Sequence, residues 1–385
     1  MSQIITAKIE NLTYKPGETM QSKILDLYDF KSFDVNQSKS FGRISFNENN
    51  SLAYSKWVTP KRTRSYPFAR IYETYNFGGK RVTIIPVIKD EGLGASKNKS
   101  NNDRVNFITL SWMNLTNVFV ILAWYDSAER KSDYRITGQK LNDEYVKMKL
   151  KEISEYQLDA HHWNNAHFIS DFVNVYRESV SAYTKIGKEL NVQMHPSKNH
   201  LDFLQKIISQ DDNTKIDLAK FAEVTLGKSK LAAHRETVVD HEQEYLTTSS
   251  EKLTFEIENN LGGKYYLTAD EIQIDHKKKH ITIREAKNTI KDKLPKKEDI
   301  LDGLFKILLF SQILRMYIGD QEYTYDVGLR LTGSITRTIQ LPTNIDSLLE
   351  YASDQNLSKS EQSNLVMLNE EAMANNYYMT INSNL

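Results

Sequence analysis

The chain contains no cysteine among its 385 residues, and this absence excludes several kinds of site at once. Disulfides, zinc–thiolate centres and cysteine nucleophiles all require a thiol. A net charge of one sign is also lacking, because 50 basic residues balance 50 acidic ones. The overall positive field of histones and small DNA-packaging proteins is therefore excluded, whereas a local basic cleft is not.

Long hydrophobic runs are absent as well. The most apolar early stretch, NVFVILAWY at residues 117–125, is far too short to cross a bilayer and is typical of a buried strand. The first residues lack the basic and apolar segments of a signal peptide. We therefore expect a soluble, cytoplasmic protein with no membrane partner, long enough to form two domains.

The patterning divides the chain into four parts. Residues 1–155 predict a mixed α/β region, in which KRVTIIPVIKDEG at 80–92 is a buried strand that runs into a charged loop. Apolar residues at three-to-four spacing predict a helical region over residues 156–227. Residues 228–335 have the clearest order, and residues 336–385 predict a partly helical tail.

The segment 228–335 predicts a helix, three strands, a second helix and a fourth strand. The first helix is KSKLAAHRETVVDHEQEYL, and the strands KLTFEIEN, YYLTADEIQID and ITIREAKNT alternate apolar and polar residues. EDILDGLFKILLFSQILRMYIG predicts one long buried helix with Gly319 as its C-cap, and YTYDVGLRLTG predicts the last strand. The expected fold class is α/β.

One of these strands departs from its own pattern. ITIREAKNT alternates from Ile281 to Ile283 and then has Glu285 and Lys287 where two more apolar residues should follow. Side chains two apart on a strand share a face, so both charges project beside the isoleucines. Burial of such charges is unfavourable unless they pair or bind a metal ion. The pattern indicates either a salt bridge on an edge strand or a metal-dependent active site.

Asp270 lies in the second predicted strand, one turn away from Glu285. Neighbouring strands of a hairpin bring Cβ atoms to within roughly 5 Å, so the two carboxylates could share one hard cation. Mg²⁺ takes oxygen ligands and is usually held by one or two carboxylates together with water and phosphate oxygens. A lysine such as Lys287 beside that ion can orient or help deprotonate the attacking water. These parts fit the hydrolysis of a phosphodiester bond.

A carboxylate on one strand and Glu-x-Lys on the next, within this order of helices and strands, resembles the PD-(D/E)xK nuclease superfamily. The resemblance covers about residues 228–333 and implies a restriction-endonuclease-like core. It further implies that Asp270 and Glu285 bind Mg²⁺ and that Lys287 is the catalytic lysine. Ala269 stands where the motif name has a proline. Many members add a glutamate from the preceding helix; Glu236 is the candidate for it, and Glu242 and Glu244 are the alternatives.

By the same resemblance the chain is expected to be a Mg²⁺-dependent DNA endonuclease, most naturally a type II restriction enzyme. It would act on double-stranded DNA as a homodimer, because cleavage of both strands of a symmetric site calls for two matching active sites. Two alternatives stay open: a DNA-binding protein that keeps the nuclease fold without catalysis, and a nuclease for branched DNA, single strands or RNA. Glu271 and Asp275 also stay open as metal ligands.

A basic and aromatic stretch, KWVTPKRTRSYPFARIY at residues 56–72, is the candidate DNA-contact surface, with a solvated loop as the alternative. Three histidines in DAHHWNNAH at 159–167 lack the spacing of a helical zinc site and are expected to pack or to cap a helix. KDEG at 89–92 is expected to be a strand end that emerges into solvent. The candidate DNA-binding residues are Lys56, Lys61, Arg62, Arg64 and Arg70.

Overall fold

The structure is a computed structural model that describes residues 4–10, 12, 15, 17, 24–58, 72–95, 103–227, 253–375 and 377–383. The chain forms two compact units, and both are of the mixed α/β class. Unit 1 comprises Met1–Ile24 and Ser229–Leu385, and unit 2 is the intervening segment Leu25–Lys228.

The elements are numbered in chain order. The strands are β1 Ile4–Ile9, β2 Leu27–Asp29, β3 Phe41–Asn47, β4 Asn50–Lys56, β5 Lys80–Pro86, β6 Ile88–Lys89, β7 Asp103–Arg104, β8 Phe119–Ala123, β9 Tyr125–Ser132, β10 Arg135–Leu141, β11 Thr254–Asn259, β12 Lys264–Thr268, β13 Glu271–Asp275, β14 His280–Asn288, β15 Arg315–Ile318, β16 Gln321–Gly333, β17 Ile339–Leu341 and β18 Tyr378–Ser383. The helices are α1 Phe107–Leu115, α2 Asp143–Glu155, α3 Ala160–Glu189, α4 Lys198–Ile207, α5 Lys297–Ser311, α6 Ile345–Asp354 and α7 Lys359–Asn375.

Unit 2 is built on a five-stranded sheet in the order β2-β3-β4-β5-β8. Strands β4, β5 and β8 are parallel to one another, while β3 and β4 pair antiparallel. Strand β8 is buried along its whole length, because helices α1, α2 and α3 all pack on it. No helix among the described residues is both long and apolar enough to cross a membrane.

Unit 1 is built on a nine-stranded mixed sheet. Seven strands follow in the order β12-β11-β1-β15-β16-β14-β13, and β18 pairs with both β16 and β17. The long strand β16 runs parallel to β14 on one side; on its other side, its first residues pair with β15 and its last with β18. Helix α5 packs on β14 and β16, and this contact positions the candidate site.

These two units differ from the four parts expected from the sequence. Residues 156–227 and 25–155 lie in one unit, because helix α3 packs directly on β8 and β9. Strand β1 and the tail 336–385 belong to unit 1, since β1, β17 and β18 are all strands of its sheet.

The predicted strand YYLTADEIQID is two strands in the structure. Strand β12 ends at Thr268 and pairs with β11, whereas β13 begins at Glu271 and pairs with β14. Buried Leu267 and Ile272 are an odd number of residues apart, so one continuous strand would point them to opposite faces. The prediction that Asp270 lies within a strand is therefore wrong, because this residue occupies the bend between the two.

The predicted long helix also ends early. Helix α5 ends at Ser311, and β15 follows from Arg315 and pairs with β1 and β16. The stretch RMYI alternates between more exposed and buried positions, which is a strand period inside a run apolar enough to be taken for helix. Gly319 is not a helix cap; it has a φ of 59° in the turn between β15 and β16.

The prediction that ITIREAKNT is a strand with Glu285 on its apolar face is confirmed by β14. Ile281, Ile283 and Glu285 are buried in alternation along it, so the carboxylate continues the apolar face. The strand lies between β13 and β16 and is not the edge strand that the salt-bridge alternative supposed. The first predicted helix of this segment, at 228–246, lies outside the described residues.

Candidate active site

Glu285 and Lys287 project from β14 toward helix α5. Glu285 is 1% exposed, and its Oε1 lies 3.0 Å from Lys287 Nζ. Two residues of the helix extend this pair. Asp302 Oδ2 lies 2.9 Å from Lys287 Nζ, and Lys306 Nζ lies 2.8 Å from Glu285 Oε1. The four side chains form a row of alternating charge, Asp302–Lys287–Glu285–Lys306, which we call the charge chain.

Helix α5 presents Asp302 and Lys306 to the strand because residues four apart share one helix face. Its close approach depends on Gly303. A Cβ at this position would lie 2.8 Å from Leu329 Cδ1 and 3.3 Å from Lys287 Cε. The missing side chain therefore leaves room for the methylene stem of Lys287 between the helix and the sheet.

Asp302 and Lys306 are the members of the charge chain that sequence reasoning missed. Neither residue is among the candidate site residues named from the sequence. A signal was present, because these two are charged residues four apart in an otherwise apolar stretch, ILDGLFKILLF. The reasoning that singled out Glu285 in its strand applies equally to this helix.

Asp270 reaches the same place from the bend between β12 and β13. Its Oδ2 accepts a 2.8 Å hydrogen bond from the backbone N–H of Ala286, the residue between Glu285 and Lys287. The three residues that the sequence singled out are therefore close together, although Asp270 comes from a bend and not from a strand.

The electrostatics of the site follow from burial and from these neighbours. Burial, reinforced by the nearby Asp270 carboxylate, raises the pKa of Glu285, although Lys306 and Lys287 oppose the shift. Burial alone would lower the pKa of Lys287, but Glu285 and Asp302 outweigh it and raise that pKa above its usual range. Lys287 is therefore held in its protonated form between the two carboxylates and donates hydrogen bonds to them.

Two carboxylate oxygens of the charge chain lack a partner. Glu285 Oε2 and Asp302 Oδ1 are both buried and form no hydrogen bond within the part of the chain that the structure describes. Their two carboxylates share the Lys287 ammonium, so they lie in one small volume. Proteins leave few buried polar atoms unsatisfied, and each such atom needs an explanation.

A hard cation fits this set of residues. Mg²⁺ is bound through oxygen, commonly by one or two carboxylates plus water and phosphate. The Asp270 carboxylate accepts a hydrogen bond from the residue after Glu285 and is near enough for its charge to raise the pKa of Glu285. The unpartnered Glu285 Oε2 is the atom available to the cation. Among the described residues, no group of three or more histidine, aspartate or glutamate side chains is arranged as a metal site.

The two other nearby acids have separate partners. Glu271 forms an ion pair with Arg330. Asp275 Oδ1 accepts hydrogen bonds of 3.0 and 2.9 Å from the backbone N–H groups of Lys277 and Lys278, which stabilises the turn before β14. Of these carboxylates, Asp270 is therefore the one beside Glu285.

The remaining candidates lie mostly outside the described residues. Lys56 is described: its Nζ donates hydrogen bonds to the backbone oxygens of Val35 and Ser38, and burial lowers its pKa, although Asp34 opposes the shift. Lys56 is therefore engaged within unit 2. The candidates outside the described residues are Glu236, Glu242, Glu244, Lys61, Arg62, Arg64 and Arg70.

Within the histidine-rich stretch, His167 packs inside unit 2 as expected, whereas His162 is exposed. The Nδ1 atom of this residue lies 2.6 Å from Asp171 Oδ2, and its Nε2 accepts a 3.0 Å hydrogen bond from the backbone N–H of Leu122. Lys149 Nζ lies 3.1 Å from the same oxygen of Asp171. Both ring nitrogens are thus engaged, and the group has a structural explanation.

The KDEG stretch does not emerge into solvent as expected. Asp90 is 4% exposed, and its Oδ1 lies 2.7 Å from His195 Nδ1. The same oxygen accepts a 2.8 Å hydrogen bond from the backbone N–H of Gly92. The carboxylate therefore holds the loop together from inside.

In comparisons with known proteins, no family model, no curated protein and no solved structure matched this chain. The resemblance to the PD-(D/E)xK superfamily therefore rests on the residues and elements described above.

Proposed function

We propose that this chain is a Mg²⁺-dependent endonuclease that hydrolyses phosphodiester bonds in double-stranded DNA. The observation that carries the proposal is the meeting of Asp270, Glu285 and Lys287 around a buried carboxylate oxygen that has no partner among the described residues. Two acids for a hard cation and one ammonium for a phosphate oxygen or a water are the parts that phosphodiester hydrolysis requires.

The core we propose is restriction-endonuclease-like. The antiparallel pair β13/β14 and the parallel pair β14/β16, connected through helix α5, support this proposal. The subclass we propose is a type II restriction enzyme of the cytoplasm that acts as a homodimer, since a symmetric DNA site is cut on both strands by two matching active sites.

The proposed mechanism assigns a separate task to each residue. Asp270 and Glu285 would hold Mg²⁺, which when bound stabilises negative charge on the phosphate and acidifies a bound water. Lys287 donates hydrogen bonds from Nζ, so it orients the attacking water or stabilises the pentavalent phosphate and does not remove the proton. Asp302 holds that ammonium in place, and helix α5 covers this face of β14.

Plasmid cleavage tests the proposal. Unmethylated DNA is incubated with the full chain in Mg²⁺ or in EDTA, and the wild type is compared with Lys287→Ala. We expect discrete fragments that disappear in EDTA and a loss of rate of about 10²–10³-fold in the variant, the range for removal of one donor that stabilises transition-state charge. The matched control is Lys264→Ala, because this lysine is a half-exposed residue of the same unit on β12.

Either of two results would overturn the proposal. Cleavage that Lys287→Ala leaves unchanged would mean that the charge chain is structural and that the active site lies elsewhere. No cleavage of any DNA or RNA by the wild type would remove the enzymatic function. Cleavage of branched DNA, single strands or RNA without discrete plasmid fragments would retain the chemistry and reject restriction.

One observation favours a second candidate, a DNA-binding protein with a catalytically silent nuclease fold. Glu285 Oε1 already contacts two ammonium groups, from Lys287 and Lys306, and its charge is therefore compensated without a metal ion. Such a protein would bind DNA equally well in Mg²⁺ and in EDTA, and Lys287→Ala would not change the binding.

A further inference from the structure

We propose that Lys306 competes with the divalent cation for Glu285 and that Asp302 opposes this competition. The two residues of helix α5 would then set the cation affinity of the site in opposite directions. The inference rests on the proposed function, because it concerns the cation of that same site.

Lys306 occupies the position of a built-in counter-ion. Its Nζ lies 2.8 Å from Glu285 Oε1, and its side chain is only 17% exposed. Glu285 is the one acid within ion-pair distance of Lys306 among the residues that the structure describes. A divalent ion that bound Glu285 through Oε2 would therefore lie close to two ammonium groups, those of Lys306 and Lys287. Like charges this close repel strongly where water is excluded.

Asp302 has the opposite effect on the same carboxylate. Its Oδ2 lies 2.9 Å from Lys287 Nζ, so it shares the ammonium that Glu285 would otherwise face alone. Its Oδ1 is buried without a partner among the described residues, so this carboxylate still has an oxygen that no donor contacts beside the site. Removal of the Asp302 charge would leave Lys287 more fully on Glu285, and a cation would meet more repulsion.

The helix geometry allows Asp302 and Lys306 to be tested as a matched pair of opposite charges. Asp302 and Lys306 are four residues apart on one face of the same helix, and each contacts one member of the Glu285–Lys287 pair. A purely structural role predicts that loss of either residue weakens the fold and that any change in cation binding has one sign. Opposite signs follow only if each charge acts on the cation.

The experiment measures Mn²⁺ binding to the full chain without DNA, by electron paramagnetic resonance of the free ion. Lys306→Gln keeps a hydrogen-bond donor and removes the charge, and we expect it to bind Mn²⁺ about tenfold more tightly than the wild type, which is 1.4 kcal/mol. Asp302→Asn should bind about tenfold more weakly. Lys264→Gln is the control and should match the wild type.

Several outcomes would overturn the inference. Equal affinity of Lys306→Gln and the wild type would reject it while the proposed function stands. A wild type that binds no Mn²⁺ would reject it together with the cation site, and the plasmid assay would show independently whether cleavage needs Mg²⁺. Lys306→Arg keeps the positive charge and replaces Lys306→Gln in the binding measurement if the glutamine variant fails to fold. It should keep the wild-type affinity, and a tenfold change in either direction would contradict the inference.

Discussion

Two buried clusters of charged and polar groups, one in each unit, differ in how completely their atoms are satisfied. In unit 2, both ring nitrogens of His167 have partners, namely Asp171 Oδ2 and the backbone N–H of Leu122. In unit 1, the charge chain pairs each ammonium with a carboxylate but leaves Glu285 Oε2 and Asp302 Oδ1 without a partner among the described residues.

The difference separates a structural cluster from a candidate ligand site. The unit 2 cluster needs no further partner to account for its burial. In this cluster the neighbouring groups shift the pKa more than burial does. Burial alone would raise the pKa of Asp171, but the His167 hydrogen bond and Lys149 lower it to about 2. In unit 1 burial has the larger effect, and it raises the pKa of Glu285 although two ammonium groups are neighbours. A buried acid with a raised pKa and an unpartnered oxygen is the kind of group that functional sites use.

The largest effect should come from removal of the Glu285 charge. Glu285→Gln should lower the rate of Mg²⁺-dependent plasmid cleavage by about 10²-fold or more, because the neutral amide is a poor ligand for a hard cation. Asp171→Asn, the matching change in unit 2, should leave the rate of the folded enzyme unchanged. Equal losses of cleavage rate in both variants would mean that the unit 1 cluster is no more a ligand site than the unit 2 cluster.

The second effect concerns stability and should appear in unit 2. His167→Leu should lower the free energy of unfolding by about 2–3 kcal/mol, because it leaves the Leu122 N–H without its partner and leaves the Asp171 carboxylate with Lys149 alone. Urea unfolding of the full chain measures this loss. Mn²⁺ should stabilise this variant as much as the wild type, and a loss of that stabilisation would mean that His167 takes part in cation binding.

The pH dependence of the two clusters should have opposite signs. Asp171 has a lowered pKa, so its contribution to stability is present above its usual pKa of 3.8 and is lost as the pH falls toward about 2. Glu285 has a raised pKa, so its contribution is present below its usual value of 4.5 and is lost as the pH rises through the folded-state pKa. Thermal unfolding at a series of pH values would compare Asp171→Asn and Glu285→Gln with the wild type. As the pH rises from 2, the melting temperature of Asp171→Asn should fall further below that of the wild type. The melting temperature of Glu285→Gln should instead rise relative to that of the wild type. If both differences change with pH in the same direction, the pKa shifts assigned to Asp171 and Glu285 are wrong.

The smallest effect is expected at Gly303. Gly303→Ala gains about 1 kcal/mol of helix propensity, and crowding against Leu329 and Lys287 costs about 1–3 kcal/mol, so the net loss of stability should be about 1 kcal/mol. Because the added methyl group displaces the stem of Lys287, cleavage should fall by more than this loss of stability explains. Chemical unfolding and cleavage rates measured together would check this, and unchanged cleavage would mean that the stem has room to move.

The strand alternation predicted the site better than it predicted the element boundaries. The face of β14 could be inferred because Ile281, Ile283 and Glu285 follow a strict period of two. The break at Asp270 also had a signal, the change of phase between Leu267 and Ile272, which a single continuous strand does not allow.

Other features needed the three-dimensional structure. Strand β15 follows a helix of the same apolar character, and its four residues are too few for their alternation to be recognised within that run. The contact between helix α5 and Lys287 is tertiary, so the sequence could indicate Asp302 and Lys306 only as charges out of place. The insertion of β1 between β11 and β15 depends on partners that lie far away in the chain.

Strand β1 has a consequence for the order in which the protein is made. Its buried residues Ile5, Ala7 and Ile9 belong in the middle of the unit 1 sheet, beside β11 and β15. On the ribosome β1 emerges before unit 2, and its partners β11 and β15 appear only after all of Leu25–Lys228 has been synthesised. Unit 2 can therefore fold on the nascent chain before β1 has its partners, and the unit 1 sheet that carries the candidate active site forms afterwards.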